Sequence, residues 1–346
     1  MPVVHSPVTD RHDVPICYLC GIAIANDEFP IRSALSLAAC TRAGAPVHLA
    51  TSHGIDALQR VHDPVFLEVM AGIYDWWIRD GRLPDPGNPY VTPYYFPPVA
   101  GQHGGRKDRP AARSRTEIGR YAMDTMTLIG DGTWEGAVAA TDVAMTAADL
   151  VLAGSTAAYA ITRPPGHHAG PAFFGGSCYL NNVAAAVGQL RANGVGRVAV
   201  IDIDAHHGNG TQAIFWNDPA VFVASVHVDP AQGWFPHTVG WADEIDDTAT
   251  NLNAPVQPGA GDDEWLIGLD SLLPSVLAFE PEVVVVSLGV DAAVEDPNSP
   301  LMVTTDGFRA AGRRLADLDR PTVLVLEGGY VEPKLAEFTL AVLEQF

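Results

Sequence analysis

Arg197-Val-Ala-Val-Ile-Asp202-Ile-Asp204-Ala-His206-His207-Gly208-Asn209 joins an apolar run to two carboxylates and two imidazoles. The run from Arg197 to Ile201 reads as a buried strand, so the polar cluster is delivered at a strand terminus. Alternate residues of a strand share a face, and Asp202, Asp204 and His206 point one way if the extended conformation persists that far. A buried carboxylate costs several kcal/mol unless a cation or a donor compensates it. Three ligand-capable groups on one edge therefore point to a bound metal.

The same rhythm continues on both sides of this strand. Asn181 to Asn193 carries Ala and Leu at helical spacing with Gly194 as a stop, and Val198 to Ile203 follows as a strand. Val221 to Val226, Val283 to Leu288 and Thr322 to Leu326 are further apolar strands, separated by helical stretches near Glu264 to Ala278 and over Asp306 to Leu318. Continuous apolar strands alternating with helices predict an α/β fold with a central parallel sheet covered by helices on both faces. Such sheets place their sites beyond the carboxyl ends of the strands. The residues there are Asp202 to His206, Ser225 to His227, Gly289-Val290-Asp291 and Glu327-Gly328-Gly329-Tyr330. Any one of these could be a turn or cap, but four strand ends carrying ligand and acid/base chemistry predict one shared site.

Composition narrows the function classes. In 346 residues, an apolar content of 47% is ample for a large core, and we read residues 1–346 as a single domain. A formal charge of −21 argues against a nucleic-acid partner, which requires a basic face. No apolar run is long enough to span a membrane, and Met-Pro-Val-Val-His-Ser lacks a secretory profile. Four cysteines in a chain of this length make no disulfide framework, so a reducing, cytoplasmic setting is expected. The Cys17-Tyr-Leu-Cys20 pair has zinc-knuckle spacing but lacks a second pair, and we read it as structural. From about residue 80 to 120 the prolines from Pro84 to Pro98, the aromatics Tyr90, Tyr94, Tyr95 and Phe96, and a basic group from Arg106 to Arg120 mark a structured loop insertion. The basic group reads as a subunit contact, an anionic pocket or solvated charge.

A second motif, Arg163-Pro-Pro-Gly-His167-His168-Ala-Gly170, fixes adjacent histidines in a rigid turn and suits proton handling. RPPGHHAG, DIDAHHGNGTQ, SLGVD and LEGGY, in this order, resemble the zinc-dependent histone deacetylase superfamily with its arginase-deacetylase fold. Val61-His62-Asp63-Pro64 and Cys178-Tyr-Leu-Asn-Asn182 extend the likeness over almost the whole chain. Gly289-Val290-Asp291 and Gly132-Thr133-Trp134-Glu135 are most similar to the bacterial, acetylpolyamine amidohydrolase-like branch, which is class II-like.

The resemblance implies Zn²⁺ on Asp204, His206 and Asp291, and hydrolysis of an acyl amide to a free amine and acetate. It implies His168 as general base and then acid, steadied by Asn209, with His167 as its electrostatic partner oriented by Asp202. Tyr330 is implied as the oxyanion donor, given freedom by Gly328 and Gly329. A structural K⁺ is implied on Asp202, Asp204, the backbone of His206, Ser225 and Val226, where it would offset carboxylate charge. His207 and His227 read as structural, and His237 as part of a rim loop. The resemblance also implies a homodimer formed through the loop insertion, with a tetramer as the alternative.

Substrate contacts are less typical. Phe235 matches an aromatic tunnel wall, with a core role as the competing reading. Facing it, after Gly176, the resemblance expects a ring where this chain has Ser177. Arg115 and Met126 stand where acidic residues are expected near the channel mouth, so the expected amide is neutral or modestly charged rather than cationic. Two other classes stay open: a zinc-containing acyl-binding protein without turnover, and a two-manganese ureohydrolase of the same fold.

Overall fold

A computed structural model describes residues 1–79, 90–93 and 113–346. Its strands are β1 (Val3–His5), β2 (Ile16–Leu19), β3 (Ile22–Ala25), β4 (Val47–Leu49), β5 (Ala157–Ala160), β6 (Val198–Asp202), β7 (Val221–Val228), β8 (Asn251–Val256), β9 (Val283–Leu288) and β10 (Thr322–Leu326). The helices that matter below are α1 (Ile31–Arg42), α2 (Ile55–Leu58), α3 (Pro64–Arg79), α4 (Thr133–Leu152), α5 (Asn182–Ala192), α6 (Asn209–Phe215), α7 (Asp262–Ala278), α8 (Thr305–Ala316) and α9 (Leu335–Leu343). Eight strands form one sheet in the order β4-β1-β5-β10-β9-β6-β7-β8, and every pairing in it is parallel.

Two-residue alternation in the strands builds a core on each face. Ile201, Val286 and Leu324 join Trp265, Phe308 and Phe338 beneath α7, α8 and α9. Val200, Val285 and Val323 join Val143, Ala147 and Val187 beneath α4 and α5 on the other face. The central strands are buried throughout, as their unbroken apolar sequences require. Asn181 caps α5 by accepting from the Ala184 amide at 2.8 Å, and Gly194 follows the helix with a φ of +93°.

Several elements differ from the sequence reading. The strand predicted to reach Ile203 stops at Asp202, so alternation does not carry as far as Asp204 and His206. Ala157-Ala-Tyr-Ala160, too rich in alanine to read as a strand, is a fully buried one between β1 and β10. Strand β8 tolerates Pro255 because it lies at the sheet edge. The Cys17–Cys20 segment forms one arm and the turn of the β2–β3 hairpin, where Cys20 and Gly21 have φ of 52° and 78°, values that fit a tight two-residue hairpin turn. That places Cys17 in the interior and Cys20 on the surface, so the pair does not converge on a metal.

Most of the loop insertion, and with it Arg106, Lys107, Arg109 and the implied dimer contact, lies outside the described residues. Of its basic group, Arg113 pairs with Glu68 and Arg120 with Glu117. The Arg115 guanidinium lies over the Trp77 ring of α3, 5.9 Å from its centroid.

Candidate active site

The carboxyl ends of β6, β9 and β10 converge as the sheet topology requires. A carboxylate oxygen of Asp204, a ring nitrogen of His206 and a carboxylate oxygen of Asp291 lie within 4.8 Å of one another. Each is held by its neighbours. Asp204 accepts from the amides of His206 at 2.9 Å and Gly328 at 2.8 Å, and Asp291 accepts from the Ala205 amide at 2.8 Å. His206 directs Nε2 to the Asn298 carbonyl at 3.0 Å, which leaves Nδ1 facing Asp291 at 2.9 Å and Asp204 at 3.3 Å. A hydrogen bond of this kind fixes the tautomer that frees the other nitrogen for a cation. Burial works against a charged His206, yet Asp291 and Asp204 hold its proton affinity well above the ordinary value. The bare ligand set thus attracts positive charge, and two carboxylates with one imidazole suit an open hydrolytic Zn²⁺ site better than a closed structural one. Gly328 is required here: a Cβ on it would lie 2.3 Å from Asp291 Oδ2.

Asp202 does not join this group. Its Oδ2 meets His167 Nδ1 at 3.0 Å, and its Oδ1 accepts from the Asp204 amide at 3.1 Å. His168 directs Nδ1 to Asn209 Oδ1 at 2.7 Å. The two adjacent rings, 4.0 Å apart, are driven in opposite directions. Burial would lower His167, but Asp204, Asp202 and Glu327 carry it up to about 10. Burial and the neighbouring His167 and His206 push His168 well below the ordinary value. One imidazole is therefore a cation and its neighbour a neutral base at neutral pH. The α6 amides of Gly210 and Thr211 hold the His167 carbonyl at 3.0 and 3.1 Å, fixing the turn.

Tyr330 lines the same cavity as His168 and His206. Its phenol is pushed well above the ordinary value by burial, against the pull of Arg32, so it stays a donor. A cavity of about 380 Å³ opens onto His168, His206 and Tyr330. Gly176, Ser177 and Phe235 line it, and the Phe235 ring stands edge-on to His168 with centroids 4.8 Å apart, so Phe235 is a wall residue rather than a core one. Met126 and His237 also line the cavity, but Arg115 does not. Asp27, which the sequence reading passed over, lines the cavity and is exposed.

Ser225 pairs in register with Asp202, and its hydroxyl meets His227 Nδ1 at 2.7 Å. Val226 is buried on the same strand. His207 and His227 are buried, with their rings tilted at 55° and centroids 4.6 Å apart.

Four supporting charges went unassigned in the sequence. Glu327 accepts from the amides of Gly166 at 2.6 Å and His167 at 3.1 Å. Asp296 accepts from the Tyr330 amide at 2.7 Å and from the Asn298 amide at 3.0 Å. Arg32 donates to the carbonyls of Gly329 and Glu327 and sits 4.7 Å from the Tyr330 ring centroid. Glu28 pairs with both Arg32 and Arg163 at 3.0 Å. A signal existed for Glu327, a carboxylate directly after an apolar strand. The others sit in segments without motif or periodicity.

A buried parallel sheet whose strand ends assemble a cation-seeking triad beside a base, a cationic partner and a phenol defines a hydrolase of the arginase-deacetylase fold. The histone deacetylase domain matches residues 32–346. The chain is 38% identical over 314 residues to the acetylpolyamine amidohydrolase of Mycoplana ramosa, covering 89% of this chain and 88% of the relative. It is 36% identical over 297 residues to acetylpolyamine amidohydrolase 1 of Pseudomonas aeruginosa, covering 85% and 83%. The crystal structure of acetylpolyamine aminohydrolase from Burkholderia pseudomallei superposes with a TM-score of 0.92 at 32% identity, covering 100% of this chain and 98% of that one. The chain belongs to the histone deacetylase family and is a hydrolase acting on acetyl amide bonds.

Proposed function

We propose that this protein is a zinc-dependent amidohydrolase that converts a small N-acetyl amide, an acetylated polyamine or a related acyl amide, to acetate and a free amine. The observation that carries this reading is the Asp204–His206–Asp291 triad at the base of a cavity walled by His168 and Tyr330. These three residues would hold the metal, which when bound supplies Lewis-acid polarisation of the amide carbonyl and activation of water. His168, neutral and steadied through Nδ1 by Asn209, presents Nε2 to take the proton of the attacking water and return it to the leaving nitrogen. His167, cationic on Asp202, supplies a fixed positive charge beside the tetrahedral centre. Tyr330 donates its phenol hydrogen to the developing oxyanion. Phe235, Gly176 and Ser177 guide the acyl amide down the cavity.

The substrate reading rests on Asp27, an exposed carboxylate at the cavity. A K⁺ held by Asp202, Asp204, His206, Ser225 and Val226 would offset the carboxylate charge that one Zn²⁺ leaves over.

A panel of acetylputrescine, acetylcadaverine, acetyl-lysine peptides and small neutral N-acyl amides, with metal quantified in the same sample, tests the proposal. Hydrolysis with one zinc per chain is expected. Two manganese per chain with urea release would replace it by a ureohydrolase, and zinc without turnover by an acyl-binding protein. Tyr330→Phe is expected to retain zinc and lower kcat by about 10²-fold, the scale of one lost oxyanion donor. Near-normal turnover would reject the role of the phenol.

A further inference from the structure

Around His167, three side chains from separate elements approach one another. A ring nitrogen of His167, the Cys178 sulphur and a carboxylate oxygen of Glu327 lie within 4.8 Å of one another. All three residues are buried, at 3%, 0% and 0% exposure, and Cys178 is a free thiol. We propose that His167, Cys178 and Glu327 form a second metal site that takes one thiophilic divalent cation, such as Zn²⁺ or Cd²⁺, and that its occupation inhibits the enzyme.

The donors are held in place and incompletely used. His167 commits Nδ1 to Asp202, leaving Nε2 to offer. Glu327 commits Oε2 to the amides of Gly166 and His167, whereas its Oε1 is buried without any hydrogen-bond partner. An unpartnered buried carboxylate oxygen is costly, and a cation offsets that cost. Cys178 is fixed by a turn in which its amide and carbonyl both pair with Gly175, at 2.9 and 3.0 Å. Glu327 directly follows β10, and His167 is clamped through its carbonyl by α6.

Sulphur, nitrogen and oxygen form a mixed set suited to zinc or cadmium, unlike the Asp204–His206–Asp291 triad, which contains no thiol. Metal–ligand bonds of about 2.0–2.3 Å require the donors to close to roughly 3.5 Å, a shift of about an ångström within a packed site. Burial pushes the Cys178 thiol well up and His167 holds a proton on Nε2, so the arriving cation must displace both protons to solvent. With the thiolate and Glu327 bound, the dication is neutralised without drawing on the catalytic triad. The His167 Nε2 that it engages is 3.8 Å from Asp204, so occupation replaces the cationic partner of His168 by a fixed metal–imidazole bond.

The inhibitory part rests on the reaction proposed above, and the binding part does not. Holoenzyme carrying one zinc is titrated with Cd²⁺. The readouts are thiolate-to-cadmium charge-transfer absorption, bound metal by equilibrium dialysis, and hydrolysis of an acetyl amide. One cadmium–thiolate bond per chain is expected beside the resident zinc, with activity falling by about 100-fold, the scale of a lost proton-handling group. Cys178→Ala and Cys178→Ser should keep the zinc and basal turnover, lose the absorption and resist inhibition. Glu327→Gln keeps the thiol and should weaken cadmium binding by about 10-fold or more. Absorption that survives in both Cys178 variants, assigning it to Cys17, Cys20 or Cys40, would overturn the site, as would the absence of a second bound equivalent. If no acetyl amide is hydrolysed at all, the proposed reaction fails while the absorption and dialysis still decide the second site.

Discussion

At the floor of the site, Asp202, Asp204, Asp291 and Glu327 are withheld from solvent, and each accepts hydrogen bonds from a neighbouring strand end or turn. At the rim, Leu19, Ile22 and Ile24 of the β2–β3 hairpin are 52%, 66% and 41% exposed, and the exposed Asp27 carboxylate accepts from Asn298 Nδ2 at 3.2 Å. The floor is over-determined: each carboxylate is held by at least one backbone amide whose own position is fixed from elsewhere, although Glu327 keeps one oxygen unpartnered. The rim is under-determined, with apolar side chains that nothing among the described residues covers. Reaction chemistry resides where geometry tolerates no change, and substrate preference where change costs little.

The sharpest contrast comes from removing one floor ligand. Asp204→Ala takes away a member of the triad, the acceptor of the Gly328 amide and an anionic neighbour of His167. Zinc content is expected to fall to background, with kcat lower by about 10³-fold or more, because metal supply and histidine electrostatics fail together. Full zinc occupancy in this variant, measured by elemental analysis, would break the assignment of the floor as the metal site.

Gly176 lies where floor and rim meet. Its φ is +58°, and a Cβ added there would stand 2.4 Å from His168 Cδ2 and 2.7 Å from Phe235 Cε1. Gly176→Ala is therefore expected to displace the base and narrow the cavity at once. A fall in kcat/KM of about 10- to 100-fold, with thermal stability changed by only a few degrees, would place the floor's rigidity at this residue. An unchanged kcat/KM would place Gly176 with the tolerant rim.

The floor's rigidity also has a pH signature. His62 directs Nδ1 to the Gly170 carbonyl and accepts the Asn181 amide at Nε2, tying the His167–His168 turn to the start of α5. Burial lowers its pKa to about 4. In the unfolded chain the ordinary value is about 6.5, so between these limits the unfolded state binds a proton that the folded state refuses. Stability from this group is full above about pH 6.5 and is lost as pH falls toward 4, by on the order of 3 kcal/mol. Urea unfolding across that window should show the decline, and His62→Gln should remove this share of the slope. Identical slopes in both proteins would mean that His62 does not hold the turn.

How much of this was legible in the sequence follows the same division. The long apolar strands β6, β7, β9 and β10 announced a parallel sheet, and motifs at their ends gave the residues that the floor brings together. Short or alanine-rich strands such as β1 and Ala157–Ala160 carry no periodic signal, because their burial is imposed by the strands on either side. Arg32, Glu28 and Asp296 act through contacts with residues distant in sequence, such as the Glu28–Arg163 pair, which no local pattern encodes. The contact of Arg115 with the Trp77 ring is likewise a tertiary fact that no local pattern encodes.

The smallest expected effect, and the finest test of the comparison, is at Asp27. An exposed carboxylate attracts a distal ammonium by no more than about 1 kcal/mol in water, so Asp27→Asn should raise KM for a cationic acetylated amine by roughly two- to fivefold. The kcat should hold, because Asp27 touches none of the reacting groups. Salt should erase the difference, since exposed charges are screened within about 8–10 Å at physiological ionic strength. A neutral acyl amide is the control and should show no change in either constant. Asp27 also meets Asn298, whose carbonyl accepts His206 Nε2. An equal loss of kcat for cationic and neutral substrates would then mean that Asp27 acts through Asn298 on the metal ligand, and that the rim is mechanically part of the floor.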